Sequence, residues 1–129
     1  MEGQEHLSTR MRVLVVEDDP LVSDVVVAAL EEDYETRLVD TSAAAVESLR
    51  QGGVDLVLLD CTLPDGINAR LIPEADRSGV PVVLMSGDPQ RMEDVSATAR
   101  ACILKPFTIT RLLSVVQTAI DGAARPVAA

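Results

Sequence analysis

Glu17, Asp18, Asp19 and Asp60 are the residues whose types and positions could do chemistry, because both groups follow directly on apolar runs. Val13 to Val16 runs into Glu17-Asp18-Asp19, and Val54 to Leu59, broken only by Asp55, runs into Asp60. Buried parallel strands end where their loops begin, so both groups are expected at one edge of a sheet. Acids converging on one point repel each other unless a cation sits among them. Glu17, Asp18 and Asp60 offer oxygen ligands to a hard ion, which neither the thiols Cys61 and Cys102 nor the lone histidine His6 would suit as well. Mg²⁺ fits best, with Mn²⁺ as the second choice, because it takes one or two carboxylates and keeps places for water or a phosphate oxygen.

Asp60 ends the most continuous apolar strand and can present one oxygen to a metal and another to an electrophile. Forming an aspartyl-phosphate is a known use of such a carboxylate. It requires neutralisation of the phosphoryl oxygens, for which the metal, the ammonium of Lys105 and the Ser86 hydroxyl with the Gly87 N–H are available. Of the 11 basic residues Lys105 is the only lysine. That contrast suggests a site needing a compact ammonium rather than a planar fork. Singly, these signals have plainer readings, an Asp after a strand as a loop cap and Ser86-Gly87 as a turn.

The elements that must position these residues alternate between short apolar runs and longer helical stretches, the signature of a parallel α/β sheet. Strands are expected at Val13–Val16, Tyr34–Val39, Val54–Leu59, Val82–Met85 and Ala101–Leu104. The second of these alternates Tyr34, Thr36 and Leu38 against Glu35, Arg37 and Val39, as an edge strand would. Asp19-Pro20 opens a first helix as N-cap and first-turn proline, running to about Glu32. Thr41 or Ser42 caps a second, which carries Ala45, Val46 and Leu49 and ends at Gly52-Gly53. After a loop from Cys61 to Ile67, a short third helix carries Leu71 and Ile72, with Pro73 bending or delaying it. A fourth, near Gln90 to Ala99 after Asp88-Pro89, has little to bury beyond Met92 and Val95, which makes it the element easiest to shift. The last places Ile109, Leu112, Leu113, Val116, Ala119 and Ile120 on one face. Residues 1–11 and 123–129 read as tails around a domain at 12–122.

Length and charge exclude several classes. The 129 residues have room for one compact domain, without a separate output or catalytic domain. A net charge of −10 argues against direct contact with nucleic acid or an anionic membrane, and for proteins and cations as partners. No apolar stretch is long enough to span a membrane. Without a CxxC pair or a signal peptide, the cysteines read as reduced thiols in a cytoplasmic protein.

Taken together, the order and spacing of VLVVEDDP, LVLLDCTLPDG, VVLMSGD and ILKPF resemble the receiver domain of two-component response regulators, over about Arg12 to Ile120. The resemblance implies a doubly wound five-stranded parallel sheet in the flavodoxin-like order 2-1-3-4-5, with five helices on two faces. It implies a stand-alone, single-domain regulator that takes a phosphoryl group on Asp60 from a histidine kinase or histidine phosphotransfer protein and binds a downstream protein effector. Asp18 resembles the direct metal ligand, Glu17 the neighbouring acid acting on metal-bound water, and Thr62 a residue lending its backbone carbonyl to the ion. Ser86 resembles the hydroxyl that moves toward the phosphoryl group, and Lys105 the lysine that pairs with it, followed by Pro106 through a cis bond.

Three positions depart from the family pattern. Glu17 stands for a more usual Asp, Asn68 for a frequent Gly, and Cys102 for the Tyr or Phe that swings inward on activation. With Tyr34 and Phe107 the only aromatics, an aromatic switch is not expected, and readout would run through Ser86, the loop after it and the fourth helix. The first helix carries more apolar residues than one core stripe needs. Leu21, Val22 and Val25, with Pro106 and Phe107, are therefore expected to dock the phosphoryl donor.

Three other readings are weaker. A Mg²⁺-dependent phosphohydrolase resembling the haloacid dehalogenase group would need an Asp two residues after the nucleophile, where this chain has Thr62. A flavodoxin-like flavin binder would need a phosphate loop after the first strand, where Glu17-Asp18-Asp19 would repel phosphate. A receiver-like adaptor that is never phosphorylated would not need every chemical position filled.

Overall fold

A computed structural model of the chain describes residues 10–63, 70–87 and 101–124. Five strands form one parallel sheet: β1 (Arg12–Val16), β2 (Glu35–Val39), β3 (Leu56–Asp60), β4 (Val82–Ser86) and β5 (Ala101–Leu104), in the order β2-β1-β3-β4-β5. The described helices are α1 (Pro20–Leu30), α2 (Ser42–Gln51), α3 (Leu71–Ser78) and α4 (Ile109–Ala124). The expected helix at Gln90–Ala99 and the position Asn68 lie outside the described residues.

Strand alternation divides the core into two layers. Leu14, Val16, Val57, Leu59, Val82 and Leu84 pack on one face with Ala45, Val46 and Leu49 of α2 and Leu71 and Ala75 of α3. The other face joins Val13, Val15, Leu56, Leu58, Val83, Met85 and Ile103 to Val26 and Leu30 of α1 and to Leu112, Val116 and Ile120 of α4. β3 and β4 are buried throughout, which is why their sequences read as near-continuous apolar runs.

Local chemistry sets the element ends. Asp19 caps α1 by accepting from the Leu21 N–H at 2.9 Å, and Thr41 rather than Ser42 caps α2, accepting from Ala44 at 3.1 Å. Gly52, at φ 84°, ends α2 in a conformation that a side chain would strain. Pro73 is the third residue of α3, where no intrahelical N–H is required, and the first ladder bond follows at once, Glu74 N–H to Arg70 C=O at 2.9 Å. It therefore sits at the helix start without interrupting the ladder.

Two expected boundaries are displaced by two residues, the other strand ends by at most one. β3 begins at Leu56 rather than Val54, because Asp55 bonds across to Arg12 by both main chain and side chain, each at 2.8 Å. α1 ends at Leu30, two residues early, and its end is closed by Arg10, whose guanidinium donates to the carbonyls of Glu31 and Glu32 at 2.8 and 2.9 Å. The alternation expected of β2 is incomplete: Tyr34 is buried, but Leu38 is 47% exposed at the sheet edge.

The buried Tyr34 hydroxyl donates to Gln117 Oε1 at 3.1 Å, tying the start of β2 to α4. Burial and the nearby Asp33 and Asp121 raise its pKa. Its contribution to stability is accordingly present below the ordinary tyrosine value and lost as pH rises through the folded one. As the only tyrosine in a chain without tryptophan, it can be followed by ultraviolet absorbance, and its phenolate is expected to form at higher pH in the native than in the urea-unfolded chain.

The two sides of α1 separate by mutation. Leu30 is fully buried while Leu21 is 79% exposed. In urea denaturation Leu30→Ala is expected to lower stability by roughly 2–5 kcal/mol, and Leu21→Ala by no more than about 0.5 kcal/mol.

Candidate functional site

The side-chain alternation that buries Val13 and Val15, Leu56 and Leu58, and Ile103 beneath α1 and α4 continues past each apolar run to Glu17, Asp60 and Lys105. Three strands thus deliver an acid, an acid and an amine to one end of the sheet. The register brings them level, with Val16 opposite Leu59, and the ladder extends one residue further as the Glu17 N–H bonds to the Val39 carbonyl at 3.0 Å.

Glu17 and Asp60 are 2% and 1% exposed, whereas Asp18 is open to solvent. Among the described residues these three form a group whose carboxylate oxygens lie within 4.8 Å of one another, close enough to hold one ion. Asp19, the remaining acid of the run, turns away to cap α1, and its own N–H donates to Glu17 Oε2 at 3.2 Å. All the donors are carboxylate oxygens, which suits a hard divalent cation.

Lys105 Nζ donates to Glu17 Oε1 at 2.9 Å and lies 3.4 Å from Asp60 Oδ1. Its backbone N–H donates to the Ser86 carbonyl at 2.7 Å, so the last residue of β4 and the residue after β5 are held together. Ser86 is fully buried, and the Lys105-Pro106 bond is cis, as expected from the family resemblance.

Thr62 does something the sequence reading did not anticipate. Its N–H and its hydroxyl both donate to Asp60 Oδ1, at 3.0 and 2.9 Å, which fixes the carboxylate's orientation. The available signal was an Asp followed two residues later by a hydroxyl side chain, a pattern that favours such local bonds.

Burial works on all three ionised groups, and their partners decide the outcome. It pushes the Glu17 carboxyl up, and the nearby Asp60 adds to this, against the pull of Lys105 and the Asp19 N–H. Burial opposes ionisation of Asp60 too, but the Thr62 N–H, the shared contact with Glu17, the Thr62 hydroxyl and Lys105 outweigh it and hold Asp60 below the ordinary aspartate value. Burial disfavours the ammonium of Lys105, yet Glu17 and then Asp60 raise its pKa.

Cys61 is buried, and Cys102 is partly buried against the α2/α3 layer, paired in register with Leu84. Neither is in a disulfide. Beside the acidic site, Leu21, Val22, Val25, Lys105, Pro106 and Phe107 line a groove of about 440 Å³. The surplus apolar residues of α1 are thus brought together with the turn after β5. Among the described residues no helix is long and apolar enough to cross a membrane.

The family model of the response regulator receiver domain matches residues 13–117. The chain belongs to this family. It is similar to the DNA-binding response regulator MtrA of Mycolicibacterium smegmatis, 32% identical over 114 residues that cover 84% of this chain and 50% of that protein. It is also similar to the DNA-binding transcriptional regulator NtrC of a Bradyrhizobium strain, at 31% identity over 84% of this chain and 24% of that protein. The receiver thus spans about half or less of the length of these relatives.

Among solved structures it resembles a CheY-like receiver domain protein of Methanospirillum hungatei, with a TM-score of 0.78 and 26% identity over 89% of this chain and 97% of that one. The receiver domain of the sensor histidine kinase PA1611 of Pseudomonas aeruginosa, solved with magnesium in its active-site cleft, gives 0.76 and 26% identity, covering 88% and 99%.

Two opposite pH dependences follow for this receiver domain without metal. Asp60, with its pKa lowered, contributes stability above the ordinary aspartate value that is lost as pH falls through the folded one. Glu17, with its pKa raised, contributes stability below the ordinary glutamate value that is lost as pH rises through the folded one. Carboxyl titration followed by nuclear magnetic resonance is expected to place the Glu17 midpoint above the ordinary range and that of Asp60 below it. Midpoints in the reverse order would contradict this electrostatic picture.

Proposed function

We propose that this receiver accepts a phosphoryl group on Asp60 from the phosphohistidine of a histidine kinase or histidine phosphotransfer protein, and that it signals through phosphorylation-dependent binding of a protein effector. The observation that carries the reading is the placement of the Asp60 carboxylate, oriented by Thr62, beside the acids Glu17 and Asp18 and 3.4 Å from the ammonium of Lys105. Glu17, Asp18 and Asp60 would hold Mg²⁺, or Mn²⁺ with the same oxygen preference, together with the backbone carbonyl of Thr62. When bound, the ion supplies positive charge that offsets the negative charge of the phosphoryl oxygens.

An Asp60 oxygen attacks phosphorus in line, the bond to the donor imidazole nitrogen breaks, and its electron pair leaves with the imidazole. Thr62 limits Asp60 to one orientation, so little of the barrier goes into aligning the nucleophile. Lys105 and the hydroxyl of Ser86 stabilise the oxygens of the transferred group. The site acts as an acceptor with transfer and hydrolytic loss at the same carboxylate, rather than as a turnover enzyme.

The donor docks on α1. The groove of Leu21, Val22, Val25, Pro106 and Phe107 adjoins Lys105, so a partner helix laid there would carry its phosphohistidine to Asp60. The net charge of −10 supports protein partners for this stretch of chain rather than nucleic acid. The haloacid dehalogenase-like alternative is disfavoured because Thr62, at the place of that group's second aspartate, is committed to Asp60 Oδ1.

Incubation with Mg²⁺ and a small phosphodonor, followed by intact-mass measurement, is expected to show one added phosphoryl group on the wild type and none on Asp60→Asn. Chelation of the metal should abolish the gain, and an equal gain in the mutant would sink the proposal. For docking, Val22→Asp should slow transfer from a cognate kinase at least about tenfold, the effect of about 1.4 kcal/mol. Uptake from the small donor should stay unchanged, and an unchanged rate from the kinase would place the docking site elsewhere.

A further inference from the structure

The groove beside Lys105 has a counterpart on the other flank of α1. Pro20, Ser23, Leu38 and Asp40, with Glu17 and Asp18, line a second groove of about 380 Å³ on the β2 side of that helix. Pro20 and Ser23 wall this one, while Leu21 and Val22, which lie between them in the chain, wall the other. The first turn of α1 is therefore a ridge with an opening on either side.

The two openings differ in chemistry. The first is bordered by the ammonium of Lys105, whereas the second has acids and, among the described residues, no basic side chain in its lining. Its apolar wall is Leu38, which pairs in register with Val15 beneath α1 and yet is 47% exposed. Hydrocarbon is thus left in water beside carboxylates. A long side chain with an aliphatic stem and a cationic head covers such a surface, with its stem on the apolar wall and its head at the acid.

The acids of this groove are not equally available. Glu17 is bonded to Lys105 and to the Asp19 N–H, and Asp18 belongs with it to the group able to hold an ion. Asp40 is exposed, lies outside that group and has no ion pair among the described residues. It keeps its charge for a partner whether or not the ion is bound. A guanidinium suits it better than an ammonium, because it is planar, bonds a carboxylate through two N–H groups and is less strongly hydrated against an apolar wall.

We propose that the groove of Leu38 and Asp40 receives an arginine side chain of the phosphohistidine donor, seated across α1 from the donor's apolar contact with Leu21 and Val25. The identity of the partner rests on the phosphoacceptor reading. Lys105 repels a cation on the opposite flank, so the two grooves together fix which way round the donor lies on α1. Asp40 and Leu38 act here in partner selection and touch no reacting atom.

The groove can be tested apart from the donor. N-acetyl-arginine amide, titrated into the full chain with ¹³C-methyl leucines and excess Mg²⁺, is expected to shift the Leu38 methyl resonances saturably, and loss of the signals in Leu38→Ala verifies their assignment. N-acetyl-norleucine amide, an apolar side chain without the charge, should shift them less at equal concentration. Asp40→Asn should remove that difference. With a phosphorylated histidine kinase domain that labels the wild type, Asp40→Arg should raise KM about fivefold, the effect of about 1 kcal/mol. Its kcat and its uptake from a small phosphodonor should match the wild type, and high salt should narrow the KM difference.

Equal shifts from the two amides, or an unchanged KM in Asp40→Arg, would overturn the proposal. Failure of the phosphoacceptor reading would appear differently, as selective binding of the arginine amide by a chain that takes no phosphoryl group from any donor.

Discussion

Carboxylates brought together at the end of an apolar sheet are the constraint on which the site depends. Glu17 and Asp60 are almost wholly buried, and each would be driven toward its neutral form by burial alone. A buried charge persists only when paired and hydrogen-bonded, and Lys105, Thr62 and the Asp19 N–H provide that pairing without metal. The sheet supplies the positions: its most buried strands cannot end elsewhere without exposing Leu58, Leu59 or Met85. Stability and chemistry meet at the same three residues.

This arrangement gives different duties to acids that look alike in sequence. Asp19 is consumed in capping α1, Asp18 remains open to solvent, Glu17 bonds to Lys105, and Asp60 is held by Thr62. Opposite pKa directions for two carboxyls in one site are what separates such roles physically. The longer arm of Glu17 is part of that separation, because the lysine's shorter contact falls on Glu17 rather than on Asp60.

Much of this was legible in the sequence where one physical signal dominated. β1 and β4 were readable to within a residue because their apolar runs are buried on both faces and stop on polar residues. The register of Glu17, Asp60 and Lys105 followed from the same ends. β3 starts two residues later than its apolar run suggests, because Asp55 within the run bonds to Arg12 at the sheet end opposite the acidic site. The alternation of β2 overstated its order, since an edge strand with Leu38 half exposed has no neighbour enforcing the pattern. The grip of Thr62 on Asp60 has a local signal in the hydroxyl two residues on, whereas the Glu17–Lys105 contact, 88 residues apart, is a matter of side-chain reach, which spacing alone does not encode. Cys102, standing where the family often has an aromatic residue, lies half-buried, paired in register with Leu84.

The central claim is that one particular carboxylate becomes the acyl phosphate. Borohydride reduces an aspartyl-phosphate to homoserine at the modified position, so reducing the phosphorylated chain and mapping its peptides by mass reads the site directly. The account predicts homoserine at position 60 alone, appearing only when Mg²⁺ and phosphodonor were both present. Homoserine at position 18 or 19, or none in a chain that has demonstrably gained a phosphoryl group, would contradict it.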